Sequence, residues 1–321
     1  MLSKNLRKLG FALALAGVIT TGVVTAPSYE VKAQETAVEI TDRMHEVYNN
    51  RSLGLKKIKN ARQLGGCVTK DGRKVKQDVL LRTGALISGA GTDDLEVLKN
   101  KYNLTKVIDF RDSIEKKNDP DPQIPGVSIV DLKIFEETPE YLESQQEQQD
   151  LFNSAKTPEE GIPIVIKTIE DYNIMDPDMY VKIVTSTYSQ KQYAHFFEEI
   201  VNNPGGAVLF HCAQGKDRTG LAAIFLLSAL GVDKDTIMED FLLTNVYFEK
   251  DLNDVYNAVI EAGAKPSTVE AARYYCGVSP DFMEKALNVI DEQYGSMDSY
   301  LRNQLGLTES DIQTLQDKYL D

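Results

Sequence analysis

In the run His211-Cys212-Ala213-Gln214-Gly215-Lys216-Asp217-Arg218-Thr219-Gly220, five residues separate a thiol from a guanidinium. Cysteine thiols beside cations or a helix N-terminus ionise readily, and the thiolate is the nucleophile. Arg218 offers a planar fork that matches two oxygens of a phosphate. Gly215 allows the backbone to approach an anion closely. Ala213, Gln214, Gly215 and Lys216 would line that anion, and Lys216 would add a second cation for a multiply phosphorylated headgroup. Thr219 would hydrogen-bond the sulfur as it leaves, and His211 would fix the loop through its ring nitrogens. The chemistry these types suit is in-line attack of sulfur on phosphorus, a cysteinyl-phosphate, and hydrolysis by water.

Such a loop needs elements that aim it. Ala207-Val208-Leu209-Phe210 is a short apolar run with the character of a buried strand, and Leu221 to Leu230 is almost wholly apolar and stops at Gly231. The order strand, tight loop, helix directs successive N–H groups and the positive end of a helix at one point, which makes an anion site. A nucleotide-binding glycine loop fits less well, because Gly215-Lys216 is followed by Asp217 and no glycine stands five residues before Gly215. Cys67 and Cys276 lie in apolar surroundings and are expected to be inert core residues.

The Cys212–Gly220 loop resembles the signature of cysteine-dependent protein tyrosine and dual-specificity phosphatases. In detail, Gly215-Lys216-Asp217-Arg218-Thr219-Gly220 is similar to a bacterial branch of secreted tyrosine and lipid phosphatases known from mycobacteria and Listeria. Asn60-Ala61-Arg62-Gln63-Leu64-Gly65-Gly66, Leu81-Arg82-Thr83-Gly84-Ala85-Leu86 and Val107-Ile108-Asp109-Phe110-Arg111-Asp112 resemble other segments of that branch, with Phe110 where leucine is usual. Tyr294-Gly295-Ser296 through Leu305-Gly306-Leu307 resembles its C-terminal helical tail. The resemblance spans roughly residues 45 to 320. It implies a cysteine-phosphatase fold and phosphotyrosine proteins as substrates, with phosphoserine, phosphothreonine and phosphoinositides as further substrates.

Ester cleavage needs a proton donor for the leaving oxygen. Trp-Pro-Asp loops serve many tyrosine phosphatases, but this chain has no tryptophan. Asp217 inside the loop ranks first, as the bacterial branch carries Asp there. Asp109, at a strand end on the edge where α/β sites gather, ranks second. Asp178 ranks third.

The alternation of strands and helices predicts an α/β fold, a mostly parallel central sheet flanked by helices. Strands are expected over Lys106 to Phe110 and Val127 to Ile134, strands with a turn at Asp71-Gly72 between Asn60 and Arg82, and a helix over Thr92 to Lys101 capped by Thr92. Residues 136–190 form a polar stretch, Glu136 to Gln149, and a more apolar one, Thr157 to Tyr180. By the resemblance they are a helical lid insertion over the site; otherwise they are a pair of surface helices. Beyond Gly231 the chain is expected to be helical, with one helix starting at Ser279-Pro280 and the last at Thr308.

Lys4, Arg7 and Lys8, the apolar Phe11 to Ala26, and Val31-Lys32-Ala33 have the form of a cleaved export signal, residues 1–33, ahead of one catalytic domain, residues 34–321. The apolar run is short for a bilayer span of about 20 residues. A secreted protein without a stable membrane anchor is expected. The net charge is −14, and residues 1–33 carry +3, leaving −17 on the rest. So acidic a chain excludes broad binding to nucleic acid or an anionic bilayer. Lys56, Lys57, Lys59 and Arg62, and Arg73, Lys74 and Lys76, form local basic clusters, expected to be mostly solvated surface. No metal or other cofactor is expected: of the three histidines, His45, His195 and His211, none stands at ligand spacing with another. The alternative functions are an inositol polyphosphate phosphatase using the same loop, a catalytically dead phosphate-binding module, and, less suited by Asp217 and Thr219, a sulfurtransferase.

Overall fold

The computed structural model describes residues 40–86, 92–171 and 176–321. The expected export signal, and Tyr172 and Met175 of the lid stretch, lie outside these residues.

Five strands make one sheet: β1 (Arg62–Gln63), β2 (Leu80–Thr83), β3 (Leu104–Asp109), β4 (Ser128–Asp131) and β5 (Ala207–His211). The spatial order is β1-β2-β5-β3-β4, with β1 antiparallel to β2 and every other pair parallel. The expected mostly parallel sheet is therefore present, with β5 at its centre. Strand β5 runs one residue past the predicted apolar segment. Strand β4 is shorter than predicted, since beyond Asp131 only isolated bonds continue, Leu132 N to Asp109 O and Ile134 N to Phe110 O. The Asn60–Arg82 stretch contains two short strands and a turn at Gly72 (φ +89°), as expected.

The sheet is buried on both faces because alternate residues point to opposite sides. Val208 and Phe210 of β5 join an aromatic core with Phe110, Tyr193, Phe196 and Phe225. Ala207 and Leu209 join a second core with Leu81, Val107, Leu98 and Leu53.

Around the sheet lie α1 (Asp42–Arg51), capped by Thr41, and α2 (Thr92–Glu96), which continues as a π-helical turn over Val97–Lys101. Next come α3 (Ser113–Asn118), α4 (Pro139–Ser154), α5 (Pro158–Asp171), α6 (Met179–Thr185) and α7 (Thr187–Val201). Helix α8 (Arg218–Ala229) follows β5 and is buried almost all round, as its apolar sequence requires. The remainder is helical as expected: α9 (Lys234–Tyr247), α10 (Glu249–Glu261), α11 (Pro266–Tyr275), α12 (Pro280–Tyr294), α13 (Met297–Asn303) and α14 (Glu309–Tyr319). Pro280 opens α12, and Thr308 with Asp311 forms a capping box on α14. The last residues return to the hairpin near the start: Lys76 N donates to Tyr319 O at 2.8 Å, and Val75 bridges Leu320. Among the described residues no helix is long and apolar enough to cross a membrane.

Candidate active site

Cys212 leaves the end of the central strand, and Arg218 begins α8, so residues 212–217 form the connecting loop at the C-terminal edge of the sheet. Cys212 and Arg218 are both buried, 2% and 3% exposed. The loop turns at Gly215, whose φ is +67°. A side chain there would bring Cβ to 2.2 Å from the Thr83 carbonyl oxygen, so glycine is required by both conformation and space.

The outward carbonyls of the loop are tied down from behind. The Asn60 amide donates to Gln214 O and Gly215 O, each at 3.0 Å. Arg82, on β2, donates to Gly215 O at 2.8 Å, and Ala85 N donates to Ala213 O at 2.9 Å. In a trans peptide the C=O and the following N–H point in opposite directions. Fixing these carbonyls outward therefore aims the N–H groups of Gln214, Gly215 and Lys216 to the inner side of the loop, where the N-terminus of α8 adds its positive end.

The Arg218 guanidinium is gripped by Glu115, Nη1 to Oε2 at 2.6 Å and Nη2 to Oε1 at 2.7 Å, and lies over the Phe135 ring at 5.3 Å. Burial opposes the cation, but Glu115 outweighs it and raises the Arg218 pKa well above the usual value. Burial likewise pushes the Glu115 carboxyl up to about 7, against the pull of Arg218. Glu115 is set in place by a reciprocal cap with Asp112 at the start of α3.

Asp217 accepts a 2.6 Å hydrogen bond from the buried Tyr180 hydroxyl of α6. Burial, then Asp217, raise the Tyr180 pKa well above that of a free phenol, so Tyr180 remains a donor. Thr219 Oγ1 and Gln214 Oε1 are buried without a hydrogen-bond partner among the described residues.

Asp109 is not placed as a proton donor. Its carboxylate takes Arg111 Nε and Nη2 at 3.0 Å each and Arg111 N at 2.9 Å. Burial works against its charge, yet His211 and Arg111 hold its pKa down at about 2. With Arg111 taking both of its oxygens, the carboxylate is tied to the sheet edge. Asp178 pairs with Lys285 at 2.5 Å and is half-exposed. Lys216 differs from expectation too: its ammonium donates to Tyr275 O and Gly277 O, both at 3.1 Å, which spends two of its three N–H groups on the end of α11. Arg62, read with the surface lysines, is fully buried.

His211 holds the loop as predicted, with Nδ1 3.2 Å from Cys212 O and Nε2 2.8 Å from an Asp121 oxygen. Asp109, Asp121 and His211 approach one another as metal ligands could, with ligand atoms within 4.8 Å. The Arg111 guanidinium bonds both carboxylates, so a cation already pairs with that group. Cys67 and Cys276 are pushed up to about 12 by burial, the mark of unreactive thiols.

Helix α4 spans the loop's surroundings. Tyr141 near its start bonds Asp112 at 2.7 Å, and Phe152 near its end packs in a core that takes in Ala213 of the loop together with α5, α10 and α11. Glu115, Tyr180 and Asn60 had no assigned role in the sequence. Only Glu115 had a readable local signal, the Asp112-Ser113-Ile114-Glu115 capping pattern.

The sequence model of the tyrosine phosphatase family matches residues 53–321. A protein from Cupriavidus necator, assigned by name to the tyrosine-protein phosphatases, is 28% identical over 278 residues, covering 85% of this chain and 90% of that one. A tyrosine-protein phosphatase from Nostoc commune is 34% identical over 134 residues, 40% of this chain and 44% of its own. The triple specificity protein phosphatase PtpB of Mycobacterium tuberculosis is 30% identical over 116 residues, 34% of this chain and 42% of its own.

Proposed function

Because this chain belongs to the tyrosine phosphatase family and is a protein tyrosine phosphatase, we propose that it hydrolyses phosphotyrosine through a cysteinyl-phosphate on Cys212. The observation that carries this reading is the Cys212–Arg218 loop on the central strand, its carbonyls tied outward by Asn60 and Arg82. The inward N–H groups and the Arg218 fork bind the three non-bridging oxygens. They are poised for the charge that spreads over them as sulfur attacks. Arg218 is oriented by Glu115.

Asp217 donates the proton to the tyrosyl oxygen as the phosphorus–oxygen bond breaks and sulfur bonds phosphorus. In the second half it takes a proton from the attacking water, and the sulfur leaves as thiolate toward the unpartnered Thr219 hydroxyl. Tyr180 positions Asp217 throughout. Helices α4 and α5 act as the lid. Phosphoserine and phosphothreonine are slower substrates, in keeping with the wider specificity in the name of the Mycobacterium relative. Phosphoinositides are a further substrate class, but the anchored Lys216 offers them less than the sequence promised. Export with cleavage after Ala33 completes the reading, and the N-terminal sequence of the protein recovered from culture medium tests it.

The activity test is phosphate release by residues 34–321, with EDTA present, on a phosphotyrosine peptide, a phosphoinositide and inositol hexakisphosphate. Turnover of the peptide that is abolished by Cys212→Ser supports the reading. Preference for inositol hexakisphosphate favours the inositol polyphosphate alternative, and binding without turnover favours the dead module.

A further inference from the structure

Buried ionic groups surround the phosphate loop on three sides, and their charges do not all cancel. Arg218 is balanced by Glu115. Asp109 and Asp121 are balanced by Arg111 and His211, both of whose ring nitrogens face acceptors and so carry protons. Beneath Gly215 the balance fails. Arg51, Arg62 and Arg82 converge on the single carboxylate of Asp240, at 3.5, 3.2 and 2.6 Å. Arg62, Arg82 and Asp240 have side chains at most 1% exposed. Three guanidinium groups on one carboxylate leave two positive charges over. The crowding is visible in Arg82, whose pKa is lowered to about 10 by burial and then by Arg62, while it remains a cation at neutral pH. Arg51 Nη1 and Arg82 Nε are buried without a hydrogen-bond partner among the described residues.

Surplus buried charge is costly unless an opposite charge lies close. The anion site above Gly215 is where one can arrive. Arg82 reaches it directly, donating to Gly215 O with one nitrogen while Asp240 holds another. We propose that the Arg51–Arg62–Arg82 cluster is a buried charge reservoir that tunes the loop for a doubly negative phosphate, with Arg82 its positioning residue. The surplus is opposite in sign to the dianion of a phosphate monoester. Arg82 thereby acts twice, fixing the direction of the loop N–H groups and setting the field inside it. The proposal rests on reading residues 212–218 as the phosphate site, but not on Cys212 being the nucleophile.

The test is calorimetric binding of inorganic phosphate to Cys212→Ser at pH 8, where phosphate is the dianion. Arg51 touches Asp240 at 3.5 Å and is not among the donors to the loop carbonyls, so changing it alters charge and leaves the Asn60 and Arg82 bonds in place. Arg51→Gln should weaken phosphate about tenfold, and Arg51→Lys, which keeps the charge, should restore it. Asp240→Asn adds to the surplus and should tighten binding, a direction that damage to the fold would not give. Equal affinity in Arg51→Gln and the parent would overturn the proposal. So would equal weakening by Arg51→Gln and Arg51→Lys, which would assign the effect to packing. Where Arg51→Gln lacks the parent's circular dichroism spectrum, the sign of the Asp240→Asn change decides. Failure of the parent to bind phosphate at all would refute the anion site itself.

Discussion

The Tyr180 hydroxyl, buried on α6, donates a 2.6 Å hydrogen bond to Asp217, the residue immediately before Arg218. It is a contact between the segment that follows α5 and the loop proposed to bind phosphate. It orients the carboxyl proposed as proton donor. Asp217→Asn should lower kcat on phosphotyrosine by about a hundredfold or more, the usual worth of general acid catalysis. The loss on p-nitrophenyl phosphate should be smaller, since that leaving group needs less help. Tyr180→Phe should show the same leaving-group signature at about tenfold. Equal losses on both esters would remove Asp217 from the acid role.

Asp109→Asn separates bracing from catalysis. It breaks a buried ion pair and should cost about 3 kcal/mol at neutral pH. The folded carboxyl sits at about 2, below its unfolded value. Its contribution is therefore fully present above the unfolded pKa and is lost as pH falls through about 2. The stability gap between variant and wild type, followed by denaturant unfolding, should narrow from pH 5 downward. The leaving-group dependence of the folded variant should match wild type.

Asn60 supplies two hydrogen bonds to loop carbonyls from a left-handed backbone position at φ +53°. Asn60→Ala should lower kcat/KM on every phosphate ester by about tenfold through misaligned loop N–H groups. It should also cost about 2 kcal/mol in stability. Steady-state kinetics and a thermal melt check both. Asn60→Gly would keep the backbone conformation and should show the same kinetic loss.

Lys216 is spent on the carbonyls that end α11. Lys216→Ala should therefore reduce phosphotyrosine and phosphoinositide turnover by equal factors and lower the melting temperature. A loss confined to phosphoinositide would show the ammonium turning to the substrate.

The loop and its two flanking elements were legible because everything they need is contiguous. Four apolar residues, a glycine where the backbone must approach an anion and an apolar helix are read in one pass along the chain. The partners were not. Glu115 lies 103 residues from Arg218, Arg82 158 residues from Asp240, and Tyr180 37 residues from Asp217. No periodicity encodes such pairings, which the packing of helices on the sheet brings about. The partners of Asp109 and Lys216 were hidden for different reasons. For Asp109 a place at a sheet edge suggested chemistry, while Arg111, two residues on, supplies its partner. For Lys216 the motif position says where its Cα sits, not where a four-carbon side chain ends.

The return of the C-terminus to the hairpin, with Val75 bridging Leu320 and Lys76 bonding Tyr319, bears on synthesis. A chain leaving the ribosome holds the hairpin and residues 212–218 long before residues 319 and 320 are made. The hairpin cannot close until they arrive, and non-local pairings of this kind are slow to form.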